Sequence, residues 1–158
     1  WEISDLDASL PEDVRKNIGH VLAKPVIVPV LEDKKVVFKA IFGNGFNSAN
    51  GKAVLFVVDI ASGKATMIDA VENGSPLPAG SNGLGSIVVI DRWGGAEQDK
   101  RSRDGISDTV YGTDQKGAVW KFDLRDMTQK LAEASADPGM FEAMRKSIAR
   151  KARTRPAG

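Results

Sequence analysis

Short apolar runs separated by glycine-rich polar stretches follow one another along most of the chain, a pattern typical of β-strands joined by turns. The runs fall into two similar groups. The first group predicts strands at 26–31, 36–42, 53–60 and 65–70, and the second at 87–91, 109–112 and 119–124. The first group has four strands and the second has most of the same set, and the period of about 60 residues predicts a mainly β fold of consecutive four-stranded β-propeller blades.

Two runs of the first group predict their own positions in the sheet. Residues 53–60 are nearly all apolar, which indicates a strand buried on both faces. Pro29 lies inside the run 26–31 and has no N–H to donate, which predicts an edge strand or a bulge.

The two ends of the chain follow other patterns. Residues 1–5 predict the end of a strand from a preceding blade, and 5–19 predict a polar loop with one helical turn. At the other end, 130–136 and 140–152 predict helices, because apolar residues recur there at helical spacing.

Charge is distributed unevenly along the chain. Residues 1–144 carry 16 basic and 21 acidic side chains, whereas 145–158 carry six basic side chains and no acidic one. A cationic tail of this kind is either a solvated chain end or a site for anionic polymers. The tail alone gives no reason to expect nucleic acid as a partner. We therefore divide the chain into about two blades, plus the end of a preceding one, at 1–126 and a basic helical extension at 127–158.

Composition excludes several kinds of site. Without cysteine there is no disulfide or thiolate metal centre, and a single histidine, His20, excludes a histidine metal cluster. No apolar stretch approaches the roughly 20 residues that a membrane span needs. A closed propeller requires at least about four blades, so we expect this chain to be part of a larger protein. No catalytic residues are predicted.

Two ordered motifs resemble the PilC/PilY family of type IV pilus tip-associated adhesins, which are pilus-biogenesis proteins. The first is Ile-Phe-Gly-Asn-Gly-Phe-Asn-Ser at 41–48, followed by Gly-Lys-Ala-Val-Leu-Phe-Val-Val-Asp-Ile at 51–60. The second comprises Asn-Gly-Leu at 82–84, Asp-Gly-Ile-Ser-Asp at 104–108 and Trp-Lys-Phe-Asp-Leu at 120–124. The order of the two motifs makes the resemblance specific.

The resemblance implies a modified propeller of quinoprotein-like blades in a large secreted protein at the pilus tip or the bacterial outer surface. It implies non-enzymatic roles in pilus extension, twitching motility and surface adhesion. The implied partners are pilin or minor pilins and a host-surface receptor. An alternative is a blade of a quinoprotein-type dehydrogenase, although we see no catalytic base and no cofactor-stacking set in the sequence.

The resemblance also implies a calcium-binding blade loop, with acidic residues at alternate positions and a glycine turn. Calcium takes six to eight oxygen ligands, which such spacing supplies. Asp104 and Asp108 match the second half of the loop on either side of Gly105, and Ile106 would offer its carbonyl oxygen. We therefore expect calcium as the cofactor of this loop.

The first half of the loop departs from the family pattern. The first two acidic positions fall on Lys100 and Ser102. An insertion would instead bring in Asp91 as the first ligand and Asp99 as the second. The alternative is a solvated hairpin loop that turns at Asp104.

Basic and aromatic residues lie close to this loop. Lys100, Arg101 and Arg103 would have to point outward, because the two positive charges of a calcium ion would repel a neighbouring cation. Trp93 either anchors a partner or packs over its own blade. Trp120 lies in a strand with alternating burial and is expected to pack between blades.

Overall fold

The computed structural model describes residues 1–72, 75–76, 80–95, 100–125 and 135–136. Within these ranges the backbone forms one α-helix and twelve strands. In chain order the elements are α1 Glu12–Asn17, β1 Val26–Glu32, β2 Lys35–Gly43, β3 Val54–Asp59, β4 Ala65–Asp69, β5 Val71–Glu72, β6 Ser75–Pro76, β7 Leu84–Ile90, β8 Trp93–Gly94, β9 Lys100–Arg101, β10 Thr109–Asp114, β11 Val119–Asp123 and β12 Ser135–Ala136.

In the described part of the chain, the longer strands build two similar antiparallel sheets. Each sheet has four strands, in the order β1-β2-β3-β4 and β7-β10-β11-β12. The short strands form two further antiparallel pairs, β5 with β6 and β8 with β9. Each four-stranded sheet follows the chain from one edge to the other, so the predicted repeat of four-stranded blades is confirmed.

β3 contributes to the cores on both faces of the first sheet. Its first five residues are all buried. Alternate side chains point to opposite faces, so Leu55 and Val57 enter one core while Phe56 enters the other. Phe56 stacks on Phe42 of β2, with ring centroids 5.3 Å apart. The prediction of a strand buried on both faces is therefore confirmed.

The facing sides of the two sheets share one hydrophobic core. Ile41 and Leu55 of the first sheet and Val110 and Phe122 of the second are all fully buried within it. Burying a side chain of this size stabilises the fold by about 1.5–3 kcal/mol relative to leaving it exposed. Trp120 belongs to the same core, as predicted.

The N-terminal segment covers the other face of the first sheet. Val14 of α1 and Ile18 just after it pack in a second core that contains Phe42 and Phe56. The single helical turn expected within 5–19 is α1. This short helix is stabilised by the apolar face that it buries, because isolated helices of this length are not stable in water.

Residues 1–5 do not form the strand predicted for the end of a preceding blade. The indole N–H of Trp1 instead donates to the carbonyl of Ile60 at 2.9 Å. A side-chain contact, rather than a backbone ladder, therefore attaches the start of the chain to the β3–β4 turn.

β1 is an edge strand of the first sheet, as Pro29 predicted. The carbonyl oxygen of Pro29 accepts the N–H of Ser107 at 2.8 Å. Ser107 lies between β9 and β10, so this hydrogen bond joins the edge of the first blade to a loop of the second.

The fourth strand of the second sheet differs from the sequence prediction. Residues 130–136 were expected to be helical, but Ser135–Ala136 pair with β11 as β12. β11 would otherwise present unpaired backbone groups at an edge, and long-range pairing outweighs local helix propensity. The rest of 130–136, the predicted helix at 140–152 and the basic tail at 145–158 lie outside the described residues.

Among the described residues, no helix combines the length and the apolar character needed to cross a membrane.

Candidate functional site

The two blades meet at Asn44, whose side chain is fully buried. Its Oδ1 accepts the N–H of Val54 at 3.1 Å and the N–H of Leu84 at 2.9 Å. Its Nδ2 donates to the carbonyls of Asn17 at 2.8 Å and Lys52 at 2.9 Å. One amide therefore links the end of α1, the start of β3 and the first strand of the second blade.

Glycines on either side of Asn44 allow the blades to approach closely. A Cβ added to Gly43 would lie 2.4 Å from the carbonyl oxygens of both Leu84 and Gly85. Gly45 has a φ of 75° and donates its N–H to Leu84 at 2.9 Å. The Gly-Asn-Gly segment, interpreted from sequence as a turn, is therefore the junction between the blades.

A second buried polar residue, Asp114, closes the β10–β11 turn. Its Oδ1 accepts the N–H groups of Lys116 at 3.0 Å and Ala118 at 2.8 Å. Its Oδ2 accepts Nδ2 of Asn82 at 3.0 Å and Nε1 of Trp120 at 2.9 Å. Four donors thus surround this carboxylate, which holds the turn, the core tryptophan and the entry to β7 together.

Asp108, a predicted calcium ligand, is fully buried at the start of β10. Its Oδ2 accepts the N–H groups of Arg92 at 3.0 Å and Trp93 at 2.7 Å. Its Oδ1 accepts the hydroxyl of Thr109 at 2.6 Å. Both oxygens are therefore engaged by protein donors, and the carboxylate fixes the chain as it leaves β7.

Asp91 follows β7 directly and faces the turn after Asp104. Its Oδ2 accepts the N–H of Gly105 at 2.7 Å. Its Oδ1 is buried and has no hydrogen-bond partner among the described residues. A buried charged oxygen without a donor is costly, and a bound cation would satisfy it. Asp91 is therefore the predicted ligand whose surroundings fit a calcium ion best.

Two further predicted calcium ligands, Asp104 and Asp99, give less support to an ion site than Asp91 does. Asp104 is exposed, and its Oδ1 accepts the N–H of Ile106 at 2.9 Å. Asp99 lies outside the described residues. Within the part of the chain that the structure describes, no three acidic or histidine side chains come close enough together to hold a metal ion. Calcium ligation by this loop stays a prediction.

Trp93, at the start of β8, is half-buried and surrounded by cations. The guanidinium carbons of Arg92, Arg101 and Arg125 lie 5.5, 5.9 and 4.4 Å from its ring centroid. These distances are within the range of cation–π attraction. The indole thus packs within its own blade and gathers three basic side chains.

The basic residues expected to point outward do so. Lys100, Arg101 and Arg103 are all exposed. Pairing of β8 with β9 matches Trp93 with Arg101 and places this part of the loop on a short hairpin. The loop therefore presents its cations to solvent and to the Trp93 ring.

An ion group lies at the far end of the first sheet. Nζ of the buried Lys39 is 2.7 Å from Oε2 of Glu32 and 3.2 Å from Oδ2 of Asp59. Asp59 also accepts the backbone N–H of Ser62 at 2.8 Å and its hydroxyl at 2.7 Å. The hydrogen bonds from Ser62, followed by the one from Lys39, lower the pKa of Asp59 from 3.8 to about 2.

Two four-stranded antiparallel sheets that follow one another in the chain and pack face to face around one core are consecutive blades of a β-propeller. A sequence model of the PilY1 β-propeller domain matches residues 2–153. The chain therefore belongs to the PilY1 family, and the resemblance drawn from its two motifs is confirmed.

Individual relatives agree with this assignment. A type IV pilus biogenesis factor PilY1 homolog of Xylella fastidiosa is 41% identical over 114 residues, which are 68% of this chain and 7% of the relative. The type IV pilus biogenesis factor PilY1 of Pseudomonas aeruginosa strain PAO1 is 30% identical over 124 residues, 78% of this chain and 9% of the relative. The crystal structure of the Pseudomonas aeruginosa PilY1 C-terminal domain matches with a TM-score of 0.52 at 26% identity, over 73% of this chain and 21% of that one. The chain thus spans less than a tenth of these curated relatives.

Sequence reasoning missed the organising roles of Asn44 and Asp114. Asn44 directly follows the largely apolar β2 and lies between two glycines, whereas Asp114 ends β10 at a turn. Those positions were the available signal. Their partners Leu84 and Asn82 are 40 and 32 positions away along the chain, so the contacts themselves had no local signature.

Proposed function

We propose that this chain forms two adjacent blades in the C-terminal propeller of a non-enzymatic type IV pilus biogenesis factor. The factor would act outside the cell, at the pilus tip or the bacterial outer surface, in pilus extension, twitching motility and surface adhesion. Its partners would be pilin or minor pilins and a host-surface receptor. Membership of the PilY1 family, carried by the match over residues 2–153, is the observation that supports this role and favours it over a quinoprotein-type dehydrogenase.

The test uses the full-length parent protein in a piliated bacterium. Removing residues 26–125 should sharply reduce surface pilin in sheared fractions, the twitching zone and adherence to epithelial cells, because these residues contain most of both blades. A strain carrying Gly80→Ala is the control, since a Cβ at Gly80 meets no atom within 4 Å. Normal piliation and twitching by the strain without the blades would contradict the proposal.

We further propose that the loop from Asp91 to Asp108 binds calcium. The buried, unpartnered Oδ1 of Asp91 supports this site. Asp99, Asp104 and the carbonyl of Ile106 would add oxygen ligands, and Asp108 would act chiefly by holding the loop in shape through its three donors. Bound calcium would neutralise the carboxylates that bind it and order the loop next to the first blade.

Thermal unfolding in millimolar calcium and in chelator tests the calcium site. A ligand that binds only the folded chain at about 100 times its Kd adds about 2.7 kcal/mol, so calcium should raise the Tm by several degrees. Asp91→Asn and Asp104→Ala should each reduce this rise, whereas Asp33→Asn, at an exposed turn, should keep it. An equal Tm with and without calcium, or an unchanged calcium effect in Asp91→Asn, would rule out the site.

A further inference from the structure

The indole N–H of Trp93 is buried and has no acceptor among the described residues. The other two tryptophans of the chain both donate, Trp1 to the carbonyl of Ile60 and Trp120 to Asp114, each at 2.9 Å. An indole nitrogen can only donate, and a buried donor without a partner is costly. The surroundings of Trp93 therefore lack one hydrogen-bond acceptor.

Three positively charged groups lie close to the Trp93 ring. Three guanidinium groups, from Arg92, Arg101 and Arg125, lie between 4.4 and 5.9 Å from one ring centroid. The three positive charges repel one another, and an anion bound between them would attract all three. Guanidinium groups present several N–H donors in a plane, which suits sulfate and phosphate oxygens.

No carboxylate of the described residues accepts the indole N–H of Trp93, although Oδ1 of Asp91 also lacks a partner there. Asp123 is paired with Arg125, and Oδ2 of Asp91 accepts the N–H of Gly105. Asp108 accepts the backbone N–H of Trp93 itself, but not its indole N–H. In the described part of the chain, Arg101 forms no ion pair. The missing acceptor is therefore not supplied by these carboxylates.

We propose that the indole N–H of Trp93 and the guanidinium groups of Arg92 and Arg101 form a binding site for a tetrahedral oxyanion, a sulfate or phosphate group. Arg125 adds positive charge while it stays paired with Asp123. The exposed Lys100 on β9 extends the cationic surface beyond the site. The ligand group is either a free anion or part of a sulfated or phosphorylated polysaccharide, since both carry the same oxygens.

Nitrogen-15 NMR of the indole N–H groups tests the site directly in the 158-residue chain. Titration with sodium sulfate, against sodium chloride at matched ionic strength, should shift the Trp93 indole resonance saturably. The resonances of Trp1 and Trp120 are internal controls and should stay in place, because both indoles already have acceptors. No saturable shift, or an equal shift with chloride, would overturn the proposal.

Two variants measure separately how much the Trp93 indole N–H and the Arg101 guanidinium group contribute to sulfate binding. Trp93→Phe keeps an aromatic ring for the arginines and removes only the N–H, so its sulfate affinity by calorimetry should fall about tenfold. Arg101→Gln should cause a loss of similar size. The matched control is Lys116→Gln, which removes one exposed charge in the β10–β11 turn at the opposite end of the sheet. If Lys116→Gln weakens sulfate binding as much as Arg101→Gln does, a general charge effect explains the result and the site is rejected.

Retention on immobilised heparin, a sulfated polysaccharide, distinguishes a polymer ligand from a free anion. Weaker retention of Trp93→Phe than of Lys116→Gln on immobilised heparin indicates a polymer ligand, because the basic tail contributes equally to both. Equal retention combined with a sulfate response in the NMR titration indicates a free oxyanion.

The chain's own carboxylates are the competing acceptors. Glu97 and Asp99 lie in the β8–β9 connection, outside the described residues. A sulfate response that is absent in the native chain but appears in the double variant E97Q/D99N would show that one of these carboxylates occupies the site, and would overturn the proposal.

Discussion

The side-chain oxygen of Asn44 accepts the N–H of Leu84 at 2.9 Å, across the boundary between the two blades. The backbone N–H of the next residue, Gly45, donates to the carbonyl of the same leucine at 2.9 Å. Leu84 is thus held through both its donor and its acceptor. The first blade thereby fixes the position at which the second blade begins.

Replacing Asn44 by alanine should destabilise the fold by about 3–5 kcal/mol, because several buried backbone groups lose their partners at once. Chemical denaturation measures the loss, and hydrogen exchange should be fastest to rise at the amides of Val54 and Leu84. Gln115→Ala at an exposed position is the control and should change the free energy of unfolding by less than about 0.5 kcal/mol. A similarly small loss in Asn44→Ala would show that the amide does not hold the junction.

Gly43→Ala should destabilise the chain by about 1–3 kcal/mol or more, since the new methyl group would meet two backbone oxygens at 2.4 Å. Backbone cannot rotate away as a flexible side chain can, so the two sheets would have to separate. Differential scanning calorimetry of Gly43→Ala against Gly80→Ala checks this, because the Cβ at Gly80 has open space around it. Equal melting temperatures in the two variants would contradict the packing seen at the junction.

Asp114→Asn should cost about 2–3 kcal/mol, because an amide NH2 would face N–H donors where an oxygen now accepts them. The loss of one acceptor should also change the fluorescence of Trp120, whose indole donates to this carboxylate. The same substitution at the exposed Asp33 should leave stability and fluorescence nearly unchanged. Retention of native stability by Asp114→Asn would mean that the carboxylate is dispensable.

Acid should weaken the turn that Asp59 organises. Its pKa is lowered from 3.8 to about 2, first by the hydrogen bonds from Ser62 and then by the one from Lys39. A carboxyl group with a depressed folded-state pKa stabilises the fold above its unfolded pKa, and this contribution is lost as the pH falls from about 4 towards 2. The native chain should therefore lose more stability over this interval than Asp59→Asn does.

Urea denaturation at several pH values between about 2 and 5 measures that difference. Asp13→Asn on the exposed side of α1 is the control and should follow the native profile. Parallel pH profiles for the native chain and Asp59→Asn would show that the ionised carboxylate contributes nothing to folding.

Seven of the eight strands in the two four-stranded sheets could be predicted from the sequence, because each of the seven carries its own pattern. The apolar run that became β3 and the proline that marked β1 as an edge are local signals. β12 had no such signal, since Ser135–Ala136 become a strand only by pairing with β11.

The candidate site was harder to predict for the same reason. The acidic residues of the loop could be identified from the sequence. Which of them are satisfied by hydrogen bonds within the protein could not be predicted. Asp108 is engaged by the N–H groups of Arg92 and Trp93, whereas Asp91 retains an unpartnered oxygen. This difference between the two carboxylates depends on how the β8–β9 hairpin folds, which cannot be deduced from the spacing of residues in the sequence.

The Asn44–Gly45 pair has a consequence for the chemical ageing of the protein. In a flexible chain an asparagine before glycine loses its side-chain amide readily, because the glycine nitrogen can attack the side-chain carbonyl carbon. Here the Gly45 N–H is bound to Leu84 and both Asn44 side-chain atoms are held by hydrogen bonds, so the ring-forming geometry is blocked. Deamidation at Asn44, read by mass spectrometry, would therefore record the accumulated time that the junction between the blades has spent open.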